Sequence, residues 1–259
     1  MGRPLPSFTA IAPFYDHLMR VVPYERWADF VLRKAAELGV RGGRALDLAC
    51  GTGNFSALLA EAGFEVLGVD LSEPMVREAR RKEEKFGGRL RFVVGDVRAL
   101  PVGEGEFDLA TSVFDSLNYI LTEEGLAQCL RETARALRPG GVFIFDLNTE
   151  LALSSRLFDQ SNLGADDWLH FEWRSCYDRR SRLCTVTMRF WVEADGKVEE
   201  FTEVHRQRAH SEGEVREAAE VAGFKVVGVF DNYTDRAANI FTDRAVWVLV
   251  FAPKRRRGG

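Results

Sequence analysis

The sequence predicts an α/β fold, a doubly wound and mostly parallel sheet of seven strands that carries an inserted antiparallel three-strand meander after the fifth strand. Short apolar runs alternate with helical patterns up to residue 148, and two more apolar runs follow near the C-terminus, which predicts the sheet. Between residues 168 and 209 the hydrophobic period becomes two, which predicts the meander. A length of 259 residues suits one core with one insertion.

These patterns divide the chain into four parts. Residues 1–148 form the core with an N-terminal helical segment, and residues 149–210 form the inserted meander as a lid. Residues 211–253 complete the core sheet, and residues 254–259 form a frayed basic tail.

The individual elements follow from periodicity and from their end signals. Helical spacing of apolar residues predicts an N-terminal helix over 24–38, with Gly39 after it. The five core strands are predicted at 44–48, 65–70, 90–94, 107–113 and 142–147. Ser72 caps the helix that follows the second strand, and the helix from Thr122 to residue 137 ends at Pro139-Gly-Gly.

The second half changes in character. A turn over 178–182 and the hairpin signal Asp195-Gly196 separate the three meander strands. Ser211 and Glu214 form a capping box for a helix that reaches residue 222, and strands over 224–230 and 245–252 complete the sheet.

Composition excludes several classes of protein. The net charge is −4 and the pI is about 5.7, so no global field favours a nucleic acid, and we expect no nucleic acid partner. The four cysteines show no metal-binding or disulfide spacing, so we expect no metal. No apolar run approaches membrane-spanning length and no signal peptide is present, which predicts a cytoplasmic protein.

The glycine turn over residues 45–56, Ala-Leu-Asp-Leu-Ala-Cys-Gly-Thr-Gly-Asn-Phe-Ser, is the most informative stretch. A dinucleotide site would place a third glycine or alanine where Ser56 stands. Asp47 at the end of the first strand would repel a pyrophosphate but could attract an ammonium group on a ligand. A ligand such as S-adenosylmethionine carries that group.

The glycine turn and three later motifs resemble those of the class I S-adenosylmethionine-dependent methyltransferases, whose sheet is Rossmann-like. The later motifs contain Asp70, Asp96-Val97 and residues 137–143. The resemblance implies that Asp47 and the glycine turn hold the methionyl end of the cofactor and that Asp70 accepts hydrogen bonds from the ribose hydroxyls. It also implies that Asp96 and Val97 hold the adenine. The turn before the fifth strand, residues 137–143, agrees with it. The cofactor-binding residues that it implies are Tyr15, Trp27, Asp47, Ala49, Gly51, Gly53, Asp70, Leu71, Met75, Asp96, Val97 and Val113.

Four other short motifs resemble those of a bacterial methyltransferase family without an assigned substrate, and more distantly those of glycine and aminosugar N-methyltransferases. They are Phe14-Tyr-Asp16, Val22-Pro-Tyr-Glu25, Asp115-Ser-Leu-Asn-Tyr119 and Glu203-Val-His-Arg-Gln207. In such relatives an N-terminal aromatic segment closes over the methionyl end, which makes Tyr15, Tyr24 and Trp27 candidates for cofactor contact. The alternative is that these aromatic residues fill the core. Met75 has the same alternative.

Three residues are candidates for accepting a proton from the methyl acceptor. Asp115 and Tyr119 follow the fourth strand, at the edge where open α/β sheets bind ligands, and His205 lies on a meander strand. A surface or hydrogen-bonded histidine is the alternative for His205.

The sequence therefore predicts an S-adenosylmethionine-dependent methyltransferase that acts on a small polar molecule, on nitrogen ahead of oxygen. One alternative is methylation of RNA or protein, which only the basic tail supports. Another is a regulatory protein that binds the cofactor without turnover. The meander could also join two copies of the chain.

Overall fold

The computed structural model describes residues 5–162, 168–194 and 196–253 of the chain. Within these residues eleven strands form two sheets. The strands are β1 (Arg44–Leu48), β2 (Glu65–Asp70), β3 (Leu90–Val94), β4 (Phe107–Ser112), β5 (Leu137–Asn148), β6 (Gln160–Ser161), β7 (Leu169–Asp178), β8 (Leu183–Ala194), β9 (Lys197–Arg208), β10 (Phe224–Asp231) and β11 (Arg244–Phe251). The α-helices are α1 (Tyr15–Leu18), α2 (Tyr24–Glu37), α3 (Asn54–Glu61), α4 (Glu73–Arg80), α5 (Glu123–Ala136), α6 (Glu150–Ser154) and α7 (Glu212–Val221).

The larger sheet has seven strands in the order β10-β11-β5-β4-β1-β2-β3. Neighbours from β3 to β5 are parallel, whereas β11 pairs antiparallel with both β5 and β10. This confirms the predicted Rossmann-like architecture. Because β1 lies between β2 and β4, the connections diverge at its carboxyl end and leave a crevice there.

Alternate residues of the strands enter two different cores. Ala45 of β1 packs with α2 and α3, whereas the next residue, Leu46, packs with α5 and α7. Burial on both faces explains why these strands read as continuous apolar runs in the sequence. Helices therefore cover both faces of the sheet, and the carboxyl edge of the strands is left for a ligand.

The helix ends form as their residues predict. Ser72 caps α4 and Thr122 caps α5, each through a side-chain oxygen that accepts a backbone N–H group. Ser211 and Glu214 form the predicted capping box of α7.

The fifth strand begins earlier than expected. We predicted that Pro139-Gly-Gly separates α5 from this strand, but β5 starts at Leu137. Phe107 of β4 pairs with Leu137, and Leu109 pairs with Val142, so residues 138–141 form a bulge inside the strand. Two steps along β4, from Phe107 to Leu109, match five steps along β5, from Leu137 to Val142. The extra residues of β5 bulge out, and its pairing with β4 then continues.

The smaller sheet is antiparallel, in the order β6-β7-β8-β9. The predicted three-strand meander is present as β7, β8 and β9, and the two-residue strand β6 adds a fourth strand on the free side of β7. Two residues give no periodicity that a sequence pattern could detect. The hairpin between β8 and β9 is confirmed, although Asp195 of its turn signal lies outside the described residues, as does the basic tail over 254–259.

The start of the described chain joins the two sheets. We call residues 5–11 the strap. Its Leu5 N–H donates to the carbonyl of Thr202 on β9, and Ser7 Oγ donates to the carbonyl of Val204. The strap then reaches the larger sheet, where Ser72 Oγ, at the start of α4, donates to the carbonyl of Phe8.

The described helices are all short. The longest of them, α2 and α5, have 14 residues each, and none is long and apolar enough to cross a membrane.

Candidate functional site

The turn after β1 exposes backbone at the carboxyl edge of the sheet. Gly51 and Gly53 have φ of +56° and +79°, in the left-handed region that favours glycine. A Cβ on Gly53 would lie 2.3 Å from the ring of Phe92, so this position also requires close packing. A Cβ on Gly51 would meet only the Met75 methyl, at 3.8 Å. Gly51 therefore leaves room in the cleft, as a cradle for a ligand requires.

Asp47 lies at the bottom of this cleft and is 1% exposed. Its carboxylate accepts hydrogen bonds from Ser56 Oγ at 2.5 Å and from Thr111 Oγ1 at 2.8 Å. Burial raises the pKa of Asp47 to about 6, and the two hydroxyl donors oppose part of that effect. Ser56, which we noted only as a departure from the dinucleotide motif, thus serves to hold Asp47.

Asp70, at the end of β2, binds the backbone of the glycine turn beside the cleft. Its Oδ2 accepts the Gly51 N–H and its Oδ1 accepts the Ser72 N–H, both at 2.8 Å, so it ties the glycine turn to the start of α4. Burial raises the pKa of Asp70, and the two backbone donors lower it. The next residue, Leu71, is 67% exposed, whereas Met75 is buried and its methyl group lies behind Gly51.

Asp96 is more constrained than the sequence indicated. Arg98 forms a two-pronged ion pair with it, with the Arg98 Nη2 2.6 Å from Asp96 Oδ2, and this hydrogen bonding lowers the pKa of Asp96. Val97 is half-buried against the core that contains Leu46, α5 and α7. The adenine contact that we expect from Asp96 would be made by a carboxylate that Arg98 also holds.

The cavity at this edge brings several of the predicted residues together. Its walls come from the glycine turn, the residues after β4 and the N-terminal aromatic segment. The lining residues are Tyr15, Tyr24, Asp47, Ala49, Cys50, Gly51, Thr52, Asn54, Phe55, Val113, Phe114 and Ser116.

Trp27 of α2 packs in the core, which is the alternative that we gave to cofactor contact. It is 5% exposed, and its ring stacks on Tyr233 at 4.8 Å between centroids. The guanidinium of Arg244 lies 5.4 Å from the Trp27 ring centroid. These contacts favour the alternative that Trp27 fills the core, and its contact with the cofactor stays a prediction.

Asp115 is engaged in a buried ion pair. Its two oxygens accept from Arg244 Nη2 at 2.8 Å and from Gln207 Nε2 at 2.5 Å, and it is 7% exposed. Arg244 also pairs with Asp146, at 2.6 Å. Each oxygen of Asp115 thus accepts one donor, and a role for this carboxylate as the proton acceptor for a methyl acceptor stays a prediction.

The same ion pair holds a strained turn. Phe114 and Asp115 have φ of +63° and +52°, which is uncommon for residues with a Cβ. Asp146 accepts the backbone N–H of both residues, at 2.8 and 2.5 Å. Such strain persists where surrounding contacts enforce it, and it is frequent at functional sites. The turn presents Phe114 and Ser116 to the cavity.

Tyr119 and His205, two of our proton-acceptor candidates, are hydrogen-bonded to each other. Tyr119 OH lies 3.0 Å from His205 Nδ1, and His205 Nε2 lies 3.0 Å from Glu203 Oε2. Burial raises the pKa of Tyr119 well above its usual value, with Asp115 adding to the effect. We did not predict Glu203. Its signal was present, because Glu203, His205 and Gln207 alternate on one face of β9.

The chemistry of the cleft suits an ammonium-bearing ligand. Asp47 and Asp70 are both acidic, and backbone approach is open at Gly51. Two carboxylates oppose a pyrophosphate, whereas they can attract an amino group and accept ribose hydroxyls. S-adenosylmethionine offers both groups. Asp47, Gly51 and Asp70 would hold it.

Comparisons with known proteins agree with this geometry. The family described as "Methyltransferase domain" matches residues 45–141. "Putative methyltransferase YqeM" of Bacillus subtilis is 31% identical over 237 residues, which is 92% of this chain and 94% of that protein. A crystal structure of an S-adenosylmethionine-dependent methyltransferase from Clostridium acetobutylicum has a TM-score of 0.82 at 30% identity, with 93% of this chain and 98% of that one covered.

A third comparison extends the fold likeness. The sugar N-methyltransferase KedS8 from Streptoalloteichus has a TM-score of 0.77 at 23% identity, over 98% of this chain and 96% of its own. At that identity the likeness concerns the fold alone.

Proposed function

The chain belongs to the class I S-adenosylmethionine-dependent methyltransferases, and on that premise we propose that it methylates a small polar molecule, on nitrogen in preference to oxygen. The observation that carries this proposal is the covered site. The strap and β9 lie over the edge of the sheet beside the cleft, where Phe8 of the strap packs on Tyr119 and Ser116 lines the cavity. A site enclosed in this way suits a small acceptor better than a polymer.

The cofactor supplies an activated methyl group and its own leaving group, so the protein must mainly align the acceptor and exclude water. Asp47 would orient the methionyl ammonium through its carboxylate. The Gly51 backbone would allow close approach, and Asp70 would accept the ribose hydroxyls. Tyr15 and Tyr24, whose hydroxyl pKa values are raised by burial, would stay neutral and wall the cleft.

Nitrogen is favoured over oxygen for two reasons. The cleft has aromatic walls at Tyr15, Tyr24 and Phe114, and such faces attract a cationic amine. KedS8, which shares the fold, is a sugar N-methyltransferase. An amine that enters protonated must lose a proton before it attacks, and Tyr119 with His205 is the candidate pair to receive it.

Methyl-labelled S-adenosylmethionine tests the proposal. The purified chain is incubated with cell extract separated into small-molecule, RNA and protein fractions. We expect label in the small-molecule fraction, on a nitrogen atom that tandem mass spectrometry of the labelled product locates. The Asp70→Ala variant should transfer far less label because it binds the cofactor poorly.

Each other result has a defined meaning. Label in RNA or protein would overturn the small-molecule proposal in favour of a polymer substrate. No label in any fraction, together with cofactor binding in calorimetry, would favour a regulatory protein without turnover.

A further inference from the structure

A single buried carboxylate joins the strap to the meander. Glu203 is 0% exposed. Its Oε1 accepts the backbone N–H groups of residues 9–11 at 3.0, 2.8 and 3.1 Å, and its Oε2 accepts the Phe8 N–H at 2.9 Å. The same Oε2 lies 3.0 Å from His205 Nε2. Both oxygens accept backbone N–H groups, so Glu203 is a carboxylate that only accepts hydrogen bonds here.

This arrangement fixes which nitrogen of His205 carries the hydrogen. An ionised carboxylate can only accept, so His205 Nε2 must be the donor to Glu203. In the neutral ring Nδ1 is then the acceptor, and the Tyr119 hydroxyl donates to it across 3.0 Å. Glu203 therefore sets the direction of the Tyr119–His205 hydrogen bond.

The pair lies beside the cleft and under the strap. Tyr119 follows Ser116 by three residues in a 3₁₀-helix, where such positions share a face, and Ser116 lines the cleft. The Phe8 ring lies 4.7 Å from the His205 ring and 5.1 Å from the Tyr119 ring, between centroids. The strap thus covers the pair when Glu203 holds it.

The other titratable groups around the pair are uncharged or already paired. Asp115 is paired with Arg244 and reaches β9 through Gln207, whose neighbour across the sheet is Cys184. Tyr15 lies beyond Phe8. Burial raises the pKa of the Cys184 thiol to about 11, which keeps it neutral. Glu203 is accordingly the carboxylate that hydrogen-bonds to His205.

We propose that Glu203 is a positioning residue for methyl transfer, which holds His205 ready to take a proton from Tyr119 and fixes the strap over the same pair. This inference rests on the proposed function. One carboxylate would then link closure of the site to its readiness for an acceptor.

The proton balance is simple. An acceptor ammonium gives its proton to the Tyr119 oxygen while the Tyr119 proton passes to His205 Nδ1, which becomes an imidazolium paired with Glu203. The freed amine lone pair forms the nitrogen–carbon bond as the methyl–sulfur bond breaks, and the sulfur leaves as a neutral thioether. His205 later returns its proton to water. Because burial disfavours the Tyr119 phenolate, the two transfers must be concerted.

The Glu203→Gln variant tests the inference. If the amide oxygen takes the place of Oε1 and keeps the three donors of residues 9–11, the NH₂ takes the place of Oε2 and faces both the Phe8 N–H and His205. The Phe8 N–H then loses its acceptor, and the imidazole ring must reverse its tautomer and donate from Nδ1 to Tyr119. We expect nitrogen-15 NMR to report the reversed tautomer and kcat to fall about a hundredfold with a smaller change in acceptor KM. Hydrogen exchange of the amides of residues 8–11 should accelerate at least about tenfold.

Two further variants complete the design. Glu199→Gln, an exposed substitution of the same chemistry on the same strand, should leave tautomer, exchange and kcat unchanged. Tyr119→Phe removes the hydroxyl donor and keeps the ring that packs on Phe8 of the strap. This variant should lower kcat by a similar factor. The hydrogen exchange of residues 8–11 and the cofactor affinity measured by calorimetry should stay within about twofold. Tyr119→Phe also tests the inference if Glu203→Gln does not fold.

The inference is overturned if Glu203→Gln keeps the Nε2–H tautomer, or if Tyr119→Phe transfers methyl groups at the rate of the unaltered protein. These outcomes differ from failure of the proposed function. In that case the unaltered protein labels no small molecule, while the tautomer and the exchange rates still report on Glu203.

Discussion

Asp47 combines a low exposure with a charge that the proposed site needs. Its pKa is raised to about 6 by burial, so it is protonated in mildly acidic solution. Only the ionised form attracts the methionyl ammonium, and this predicts a pH dependence of cofactor binding that belongs to one residue.

We expect the cofactor dissociation constant to rise about tenfold between pH 7.5 and pH 5, as Asp47 gains a proton. Calorimetry across this range measures it. Asp47→Asn should bind weakly at every pH, with no step near 6. A step of equal size in the Asn variant would assign the titration to another group.

The same raised pKa predicts a stability effect of opposite sign. A folded pKa above the unfolded one means that Asp47 stabilises the fold at low pH, and this contribution is lost as pH rises through about 6. Asp47→Asn should therefore raise the free energy of unfolding at pH 8 by roughly 1–3 kcal/mol. Urea unfolding should show the gain vanishing near pH 4, and a gain independent of pH would contradict the assignment.

Asp70 has both a structural and a predicted ligand role. Hydrogen bonds to a charged group contribute roughly 1.5–3 kcal/mol each, so Asp70→Ala should weaken cofactor binding at least about tenfold. Asp70→Asn, which keeps one acceptor oxygen, should lose less. Glu73→Ala, an exposed change of the same charge three residues away, should stay within about twofold. An unchanged dissociation constant in Asp70→Ala would remove Asp70 from the site.

Among the elements, β11 and the turn after β4 are connected by Arg244. Its guanidinium pairs with Asp115 and Asp146, and their carboxylates raise its pKa although burial opposes the charge. Removal of one partner from a buried pair typically costs about 3–5 kcal/mol, because the remaining charge stays buried.

Arg244→Met should therefore lower the free energy of unfolding at pH 7 by about 3–5 kcal/mol. Arg236→Met breaks an exposed pair with Asp231 and should cost less than about 1 kcal/mol. Urea unfolding of both variants measures the difference. Equal losses would mean that the buried cluster does not hold the turn.

The elements also show where sequence patterns fail. Strands β1 to β5 were predictable because burial on both faces leaves continuous apolar runs. The bulge at residues 138–141 was not, because a proline-glycine signal is the same for a turn and a bulge. Contacts such as Glu203 with the strap join residues more than 190 positions apart, which no local pattern encodes.

In the whole molecule, the site follows from topology. The switch point beside β1 places Asp47, the glycine turn and Asp70 along one edge, and their motifs were readable because each follows a strand. In the proposed function, the choice of acceptor depends instead on how the smaller sheet and the strap cover that edge. That arrangement depends on the contacts of Phe8 with Glu203 and His205. Phe8 is far from both residues in the sequence, so no sequence pattern shows that they are neighbours.

A crystal structure of the chain with S-adenosylhomocysteine tests the central claim most directly. We predict that the ribose hydroxyls lie within hydrogen-bond distance of Asp70, that the amino group lies near Asp47, and that the sulfur faces the turn over residues 113–119. An adenosine bound away from Asp70, or a sulfur directed away from that turn, would contradict the account.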